Sequence, residues 1–264
     1  MKIEGRTFVV SGGAFGLGRA CVEDICKAGG YAAILDLSAE YAEEFNQAVG
    51  GGKTKFFKTD VTDTESIAAA VKGTLEWVKQ TGKEIGGVIT AAGTATFGPI
   101  IDKDLKPFSL QDLDFVLAAN VRGTVDLIRQ IAPHLARTTP VGADGERGVV
   151  IMVSSASAFD GQSGQVAYAA SKGALVSLTL PLTRDLSPHG IRVVTVAPSL
   201  FNSRMTSVLS DEMITTLKKN MEFPPRPGQP HEFSSLVIQS IENVMLNGAV
   251  IRLDGGSRLP ARME

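Results

Sequence analysis

Two residues with complementary acid–base chemistry, Tyr168 and Lys172, lie four positions apart. The alanine-rich run between Gly164 and Gly173 contains no proline, which predicts a helix, and residues at i and i+4 of a helix share one face. The tyrosine hydroxyl and the lysine ammonium are therefore expected to point into one site. A tyrosine alone has a pKa of about 10, and a nearby ammonium favours the phenolate and lowers that pKa. With the Ser155 hydroxyl upstream to hold a substrate oxygen, these residues indicate proton transfer to or from an alcohol or carbonyl.

The bare Tyr-x-x-x-Lys pattern has a second explanation, in which the tyrosine packs in a core and the lysine reaches along it to solvent. The pattern is common by chance, so it does not indicate catalysis by itself. Ser155 and a nucleotide-binding pattern near the N-terminus favour the catalytic interpretation.

A glycine-rich loop follows the first predicted strand, Thr7–Ser11, and leads into an amphipathic helix. Its spacing is Gly-x-x-x-Gly-x-Gly, at Gly12, Gly16 and Gly18. Glycines allow the backbone to approach a pyrophosphate, and the helix N-terminus offers free N–H groups and the positive end of its dipole. A glycine-rich turn alone is weak evidence, but this strand–loop–helix context predicts a dinucleotide phosphate site.

The second predicted strand, 31–37, presents Asp36 near its end, 18 positions after Gly18. In a doubly wound sheet this position faces an adenosine ribose, where a carboxylate accepts hydrogen bonds from the 2′- and 3′-hydroxyls and repels a 2′-phosphate. Asp36 therefore favours NAD over NADP. Its alternative explanation is an ordinary surface aspartate at a strand end.

Together these residues resemble the short-chain dehydrogenase/reductase family, over essentially the whole chain. The resemblance implies a catalytic group of Asn120, Ser155, Tyr168 and Lys172. Ser155 and Tyr168 are implied to contact the substrate oxygen, with Tyr168 taking the hydroxyl proton while hydride leaves for nicotinamide. Lys172 is implied to lower the Tyr168 pKa and to bind the ribose, and Asn120 to hold a water that links Lys172 to solvent.

The same resemblance implies that the cofactor is NAD, because Phe15 and Leu37 occupy positions that often carry arginine or lysine in relatives that use NADP. The implied cofactor contacts are Gly12, Phe15, Gly16, Leu17, Gly18, Asp36, Asp60, Val61, Ala91, Gly93, Tyr168, Lys172, Phe201 and Ser203. The chain departs from the usual family residues at Ser11, where threonine is usual, at Thr90 and Ala91, where asparagines are usual, and at Ser199, where glycine is usual.

Alternating strands and helices, with a glycine turn after the first strand, predict an α/β fold with a Rossmann-type doubly wound parallel sheet. The almost uninterrupted apolar run 191–197 suits a strand covered on both faces. With 264 residues, of which 44% are hydrophobic, the chain can bury a sizeable core, and a single domain is expected. Residues 1–93 are expected to be mainly dinucleotide binding, and 94–264 to supply catalytic, substrate-lid and oligomer elements.

The helix predicted over 166–182 is small or apolar almost all round. A single sheet face cannot bury such a helix fully, so the helix is expected to lie at a subunit interface. Pro181 is expected to end or kink it.

Two polar loops, 94–110 and 138–148, interrupt the alternating pattern. The first is long for a compact domain, which leaves open a functional or mobile loop and a solvated excursion. The segment 205–223 is apolar and rich in methionine. It is expected either to cover a ligand as a lid or to pack as an ordinary helix.

Within the family, several stretches resemble the type II 3-hydroxyacyl-CoA dehydrogenases, among them 158–162 and 250–255. This resemblance implies an NAD-dependent enzyme that interconverts 3-hydroxyacyl-CoA and 3-ketoacyl-CoA as a homotetramer. A secondary-metabolite or steroid alcohol or ketone stays open as the substrate. The alternative of another class is a catalytically silent NAD-binding scaffold subunit.

Composition excludes several classes of partner. The net charge of −2 gives no basic footprint for nucleic acid, and no apolar run reaches the roughly 18 residues that span a bilayer. The N-terminus lacks the apolar segment of a secretory signal. The expected partners are therefore a small-molecule substrate and further copies of the chain, with no nucleic acid and no membrane.

Cysteine and histidine usage indicates the compartment and argues against a metal site. Cys21 and Cys26 fall on largely different faces of one predicted helix, so they are expected to be reduced core thiols. A cytoplasmic or mitochondrial protein that is not secreted fits this usage. The three histidines, His134, His189 and His231, have no ligand spacing among them, and no metal is expected.

Overall fold

The computed structural model describes residues 1–39, 51–202, 215 and 217–261, and these contain a seven-stranded sheet in which every neighbouring pair is parallel. The strands are β1 Thr7–Ser11, β2 Tyr31–Asp36, β3 Thr54–Lys58, β4 Ile85–Thr90, β5 Gly148–Val153, β6 Ile191–Pro198 and β7 Ala249–Leu253. Their order across the sheet is β3-β2-β1-β4-β5-β6-β7, so strands are added outward in both directions from β1 and β4. The predicted single-domain, doubly wound α/β fold is confirmed.

The helices cover both faces of this sheet. The described α-helices are α1 Gly16–Lys27, α2 Thr64–Thr81, α3 Leu110–Leu117, α4 Gly123–Leu135, α5 Val166–Leu186 and α6 Pro230–Glu242. A π-helical segment, Ala118–Arg122, joins α3 to α4, and 3₁₀ turns at Ala156–Ala158 and Ser187–His189 precede and follow α5.

Alternation along the strands produces a core on each side of the sheet. Phe8 and Val10 of β1 pack with α1 and α6, whereas Val9 between them packs with α2 and α4 on the opposite face. Strand β6 is buried at every residue. Because both faces are covered, the inner strands are continuous apolar runs, as the sequence predicted for 191–197.

The carboxyl ends of the parallel strands meet at one edge, where the sequence places its chemistry. The strand order reverses between β1 and β4, and doubly wound sheets bind ligands in the crevice at such a reversal. From β2 to β5 there are three strand spacings of about 4.8 Å each, or roughly 14 Å in all. This edge therefore offers room for an extended ligand.

Pro181 was expected to end or kink its helix; it does not end it, and the kink stays a prediction. Helix α5 continues through Pro181 to Leu186. Its opposite side is anchored by Thr179, whose hydroxyl lies 2.7 Å from the hydroxyl of Thr195 on β6. Packing on the sheet therefore outweighs the local cost of a proline that cannot donate a backbone hydrogen bond.

Helix α5 is not buried on all sides by its own chain. It leaves an exposed face of small and apolar residues, with Val166 at 45% and Leu180 at 47% exposure. This exposed α5 face consists of Val166, Ala170, Ser177, Leu180 and Pro181. The prediction that the sheet cannot bury the helix fully is confirmed, and the contact with another subunit stays a prediction.

The predicted lid segment 205–223 lies largely outside the described residues. In its described part, Leu217 and Met221 are buried and form a small cluster with Leu200, against which Leu259 packs. Helix α6 was not predicted from the sequence. Its signal is a capping box in which Gln229 and Glu232 satisfy each other's backbone N–H groups at the first turn.

Candidate active site

Ser155, Tyr168 and Lys172 converge at the carboxyl end of β5. The Ser154 hydroxyl donates to the Lys172 carbonyl at 2.7 Å, which fastens α5 to the end of that strand. The side chains of Ser155 and Tyr168 are hydrogen-bonded to each other. The Lys172 ammonium lies 5.7 Å from the centre of the Tyr168 ring and donates to the Val153 carbonyl at 2.9 Å. The structure thus brings the three predicted side chains into one group.

Burial decides how this group is protonated. It raises the pKa of Tyr168 above its ordinary value, and the hydrogen bond with Ser155 offsets the rise only in part. It also lowers the pKa of Lys172 to about 8. The net direction is opposite to the expected lowering of the Tyr168 pKa, because desolvation penalises both the phenolate and the ammonium that would stabilise it. The role of Lys172 in lowering that pKa stays a prediction. At neutral pH Tyr168 is a neutral phenol, which is a proton donor.

Asn120 is fully buried in the π-helical segment and lies behind the cavity wall. Its side-chain amide donates to the Thr94 carbonyl and accepts from the Thr94 N–H, each at 2.8 Å. It also donates to the Ser171 hydroxyl at 2.9 Å, and that hydroxyl donates to the Tyr168 carbonyl at 2.7 Å. Asn120 therefore joins the loop after β4 to the helix that carries Tyr168. The π-helical segment is typical of functional positions.

The loop after β4 passes close to the glycine loop despite its departures from the family residues. The Ala91 N–H donates to the Ser11 carbonyl at 3.1 Å, and the Ala92 N–H donates to the Ser11 hydroxyl at 3.3 Å. A Cβ on Gly93 would lie 3.0 Å from Asn120 Oδ1 and 3.3 Å from Lys172 Nζ. Glycine at this position therefore leaves room for both side chains beside the loop.

The glycine loop approaches its own helix too closely for side chains. Gly12 and Gly16 have positive φ values of 66° and 51°, which favour glycine. A Cβ on Gly18 would lie 2.2 Å from the Gly12 carbonyl oxygen. Phe15 precedes α1 without a hydrogen-bonding side chain, and the first turn of α1 carries no acidic residue. The first turn of α1 therefore places no negative charge of its own against the positive end of the helix dipole, which faces the cavity.

Asp36 lies against the glycine loop. Its Oδ2 accepts from the Ala14 N–H at 3.1 Å, and its Oδ1 accepts from the Ser38 N–H at 3.3 Å. Leu37 beside it is 60% exposed. Asp60 behaves differently, because its Oδ1 accepts both the N–H and the hydroxyl of Thr62 and so forms a local turn after β3. A carboxylate that can still accept ribose hydroxyls therefore stands beside the phosphate-binding loop at Asp36.

One cavity of about 620 Å³ joins the two halves of this site. Its lining includes these predicted residues: Gly12, Phe15, Gly16, Leu17, Gly18, Asp36, Asp60, Val61, Ala91, Gly93, Ser155, Tyr168, Lys172 and Phe201. Asn120 is not on the lining, and Ser203 lies outside the described residues. The structure therefore brings the predicted phosphate loop and the predicted proton-transfer group to a single cavity.

Part of the cavity wall was missed by sequence reasoning. The missed lining residues include Phe97, Phe115, Gln162, Gln165, Ser199 and Leu259. Gln165 donates to Gln162 through their side-chain amides at 3.1 Å, and the Ser199 hydroxyl is buried with no hydrogen-bond partner among the described residues. For the two glutamines, the one signal in the sequence was their place between Ser155 and Tyr168. Leu259 is distant in sequence and had no signal.

Neither a metal centre nor a membrane span occurs in the part of the chain that the structure describes. Its residues contain no cluster of histidine, cysteine, aspartate or glutamate that could hold a metal ion, and none of its helices is long and apolar enough to cross a membrane. Cys21 and Cys26 are buried free thiols on α1, and burial raises the pKa of both.

Comparison with known families matches residues 6–214 to the family described as short chain dehydrogenase. Among curated relatives, 3-hydroxyacyl-CoA dehydrogenase type-2 of Drosophila melanogaster is 39% identical over 258 residues, which are 97% of this chain and 99% of the relative. The Homo sapiens protein of the same name is 38% identical over 259 residues, 98% of this chain and 97% of the relative.

A solved structure shows the same fold over nearly the whole chain. The crystal structure of 3-hydroxyacyl-CoA dehydrogenase type-2 from Mycobacterium avium superposes with a TM-score of 0.91 at 31% identity and covers 98% of each chain. The likeness therefore extends over both the glycine loop and the proton-transfer group.

Proposed function

The chain belongs to the short chain dehydrogenase family and is an oxidoreductase, and from this premise we propose that it interconverts 3-hydroxyacyl-CoA and 3-ketoacyl-CoA with NAD. The observation that carries the proposal is the hydrogen-bonded pair of Ser155 and Tyr168, with Lys172 one helical turn away, in the cavity that contains the glycine loop. The reversible reduction of a ketone needs a proton donor at the carbonyl oxygen, and a second hydroxyl can hold that oxygen by a hydrogen bond.

In the proposed chemistry, each of the four polar residues has a separate task. Tyr168 gives its proton to the substrate oxygen in reduction and takes it back in oxidation. Ser155 holds that oxygen by a hydrogen bond. Lys172 binds the cofactor ribose and replaces the proton that Tyr168 gives up, and Asn120 holds the loop and α5 in register through Thr94 and Ser171.

The residues present fit a nicotinamide dinucleotide. The close glycine loop and the first turn of α1 suit a pyrophosphate, and the Asp36 carboxylate suits a ribose with a free 2′-hydroxyl. When bound, the cofactor accepts hydride in the oxidation and donates it in the reduction. We assign NAD rather than NADP because Asp36 would repel a 2′-phosphate and the neighbouring Leu37 and Phe15 offer it no positive charge.

The substrate class rests on the named relatives together with the character of the cavity. The two curated relatives and the solved structure described above carry the name 3-hydroxyacyl-CoA dehydrogenase type-2. Phe97, Phe115 and Leu259 give the cavity an apolar wall, which suits an acyl chain. These relatives do not favour the secondary-metabolite or steroid alternative, and the silent-scaffold alternative is disfavoured because they are named as dehydrogenases.

We further propose a homotetramer that assembles through the exposed α5 face. Apolar side chains in solvent favour contact with another subunit. The buried free thiols of Cys21 and Cys26 fit a reducing compartment, cytosolic or mitochondrial. Within the one domain, residues 1–93 would chiefly bind the dinucleotide, and the remainder would supply the catalytic, lid and oligomer elements.

The decisive experiment follows oxidation of NADH, with NADPH in parallel, in the presence of acetoacetyl-CoA. Rapid turnover with NADH alone is the expected result. Absence of turnover despite demonstrated NADH binding would contradict the acyl-CoA substrate and leave the cofactor assignment intact. A preference for NADPH would contradict the role of Asp36.

A further inference from the structure

Arg252, near the carboxyl end of β7, is bonded to three residues on two separate parts of the chain. Its guanidinium forms a bidentate ion pair with Asp160, donates through Nε to Asp254 at 2.7 Å and donates to the Ser257 carbonyl at 3.2 Å. The guanidinium carbon also lies 5.1 Å from the centre of the Phe159 ring. The pairing lowers the pKa of the Asp160 carboxyl and raises that of Arg252, so both stay charged throughout the neutral range.

Asp160 belongs to a compact turn that begins at the proposed catalytic serine. The Ala158 N–H donates to the Ser155 carbonyl at 3.0 Å, and the Asp160 N–H donates to the Ala156 carbonyl at 3.0 Å. The Ser155 hydroxyl accepts from the Ser157 N–H at 3.1 Å. Because these bonds join residues two to four positions apart along the turn, a displacement of Asp160 would move the backbone that carries Ser155.

The continuation of this turn is tied to the C-terminal segment 254–261. The Gln162 side-chain amide donates to the Pro260 carbonyl at 3.1 Å, and the Ser163 N–H donates to the Ala261 carbonyl at 3.0 Å. Gln162 on the turn and Leu259 on the C-terminal segment both line the cavity. Arg252 holds both segments, since it bonds Asp160 on one and the Ser257 carbonyl on the other.

We propose that Arg252 is a positioning residue that locks the serine turn, 155–165, to the C-terminal segment, 254–261, so that the two form one rigid wall of the substrate cavity. The planar guanidinium suits this task because it can serve a carboxylate in bidentate fashion and two further acceptors at once. The effect of Arg252 on turnover rests on the proposed function, whereas its effect on the rigidity of the cavity wall does not.

The test compares Arg252→Met, Asp160→Asn and the double variant with the unaltered protein. We expect amide hydrogen exchange over 156–165 to become faster in all three. We expect kcat with acetoacetyl-CoA to fall by about tenfold, because small misplacements of catalytic groups are costly. The NADH dissociation constant should change by less than about twofold, since Arg252 touches no part of the glycine loop, and the double variant should lose no more than either single variant.

Arg192→Met is the matched control. Like Arg252, Arg192 is a strand residue whose guanidinium pairs with a carboxylate, here Glu146 at 2.7 Å. Arg192 lies at the amino end of β6, away from the site. It should lower the melting temperature while leaving kcat and the exchange of 156–165 unchanged. If a general loss of stability explained the Arg252 effect, Arg192→Met would reproduce it.

Two results would overturn the proposal. One is unchanged exchange over 156–165 in both Arg252→Met and the milder Asp160→Asn. The other is faster exchange with an unaltered kcat, which would reduce Arg252 to a structural role. If the unaltered protein reduces no ketone, the proposed function fails, and the exchange comparison still decides whether Arg252 holds the wall because it uses no substrate.

Discussion

At the scale of the residue, the environment of Tyr168 determines what chemistry is available. Burial raises its pKa, Ser155 is hydrogen-bonded to it, and Lys172 is turned toward the Val153 carbonyl. A neutral phenol beside a second hydroxyl is suited to protonating an oxygen.

The first prediction concerns the Tyr168 hydroxyl. Tyr168→Phe removes the proton donor without changing the ring, and we expect turnover to fall by about a thousandfold, a typical loss for general acid–base catalysis. NADH binding, followed by fluorescence titration, should be retained. Tyr31→Phe is the matched control, because Tyr31 packs against Trp77 with a ring separation of 6.1 Å and does not line the cavity. Near-normal turnover in Tyr168→Phe would refute the proton-transfer role.

The second prediction concerns pH. Reduction needs protonated Tyr168 and charged Lys172, whose pKa is about 8, so reduction should decline as pH rises above that value. Oxidation needs a deprotonated Tyr168, whose pKa is raised, so oxidation should keep rising into the alkaline range. Initial rates in both directions between about pH 6 and about pH 10 measure this. A reduction rate that climbs steadily with pH would contradict the assignment.

At the scale of the element, the β1–α1 turn is constrained by contact between its own backbone segments. A methyl group at Gly18 would lie 2.2 Å from the Gly12 carbonyl oxygen, and that oxygen belongs to rigid backbone. The start of α1 and the end of β1 therefore hold each other in place.

The third prediction follows from that contact. Gly18→Ala should shift the turn, lower stability by about 2 kcal/mol as overpacking does, and abolish measurable NADH binding. Thermal denaturation and fluorescence titration measure the two effects. Gly173→Ala, whose methyl group would meet nothing within 4 Å of this chain, is the matched control and should bind NADH normally. Normal NADH binding by Gly18→Ala would show that the close approach is not needed.

At the scale of the whole molecule, the exposed α5 face is an apolar surface that the single chain does not bury. Helix α5 carries Tyr168 and Lys172, the proposed catalytic residues, on the side that lines the cavity and apolar residues on its outer side. Contact between subunits through that outer side would support α5 on the side opposite the cavity.

The fourth prediction tests this assembly. Leu180→Glu places a charge on the exposed α5 face, and burying that charge at an interface is costly, so the proposed homotetramer should give way to smaller species. Light scattering after gel filtration measures the mass. Met245→Glu is the control, because Met245 is 85% exposed and lies outside α5. An unchanged mass for Leu180→Glu would place any interface elsewhere.

Much of the fold and of the candidate site was predictable because it depends on spacing along the chain. Tyr168 and Lys172 share a face through the pitch of one helix, and the glycine loop is identified by its place between one strand and one helix. Alternating strands and helices determine the doubly wound sheet, because parallel strands require crossover helices. These features need no knowledge of distant contacts.

Only the tertiary structure decided the features that depend on distant residues. The net direction of the Tyr168 pKa is opposite to the expected one because desolvation depends on how the elements around the tyrosine pack. Helix α5 continues past Pro181 because it is anchored on β6, which local sequence does not reveal. Arg252 and Asp160 are 92 positions apart, and their pairing exists only because β7 and the serine turn meet at one edge of the sheet. Spacing within one element thus determined which side chains share a face or a loop. Packing between elements determined the pKa values of those side chains and the hydrogen bonds that hold them in place.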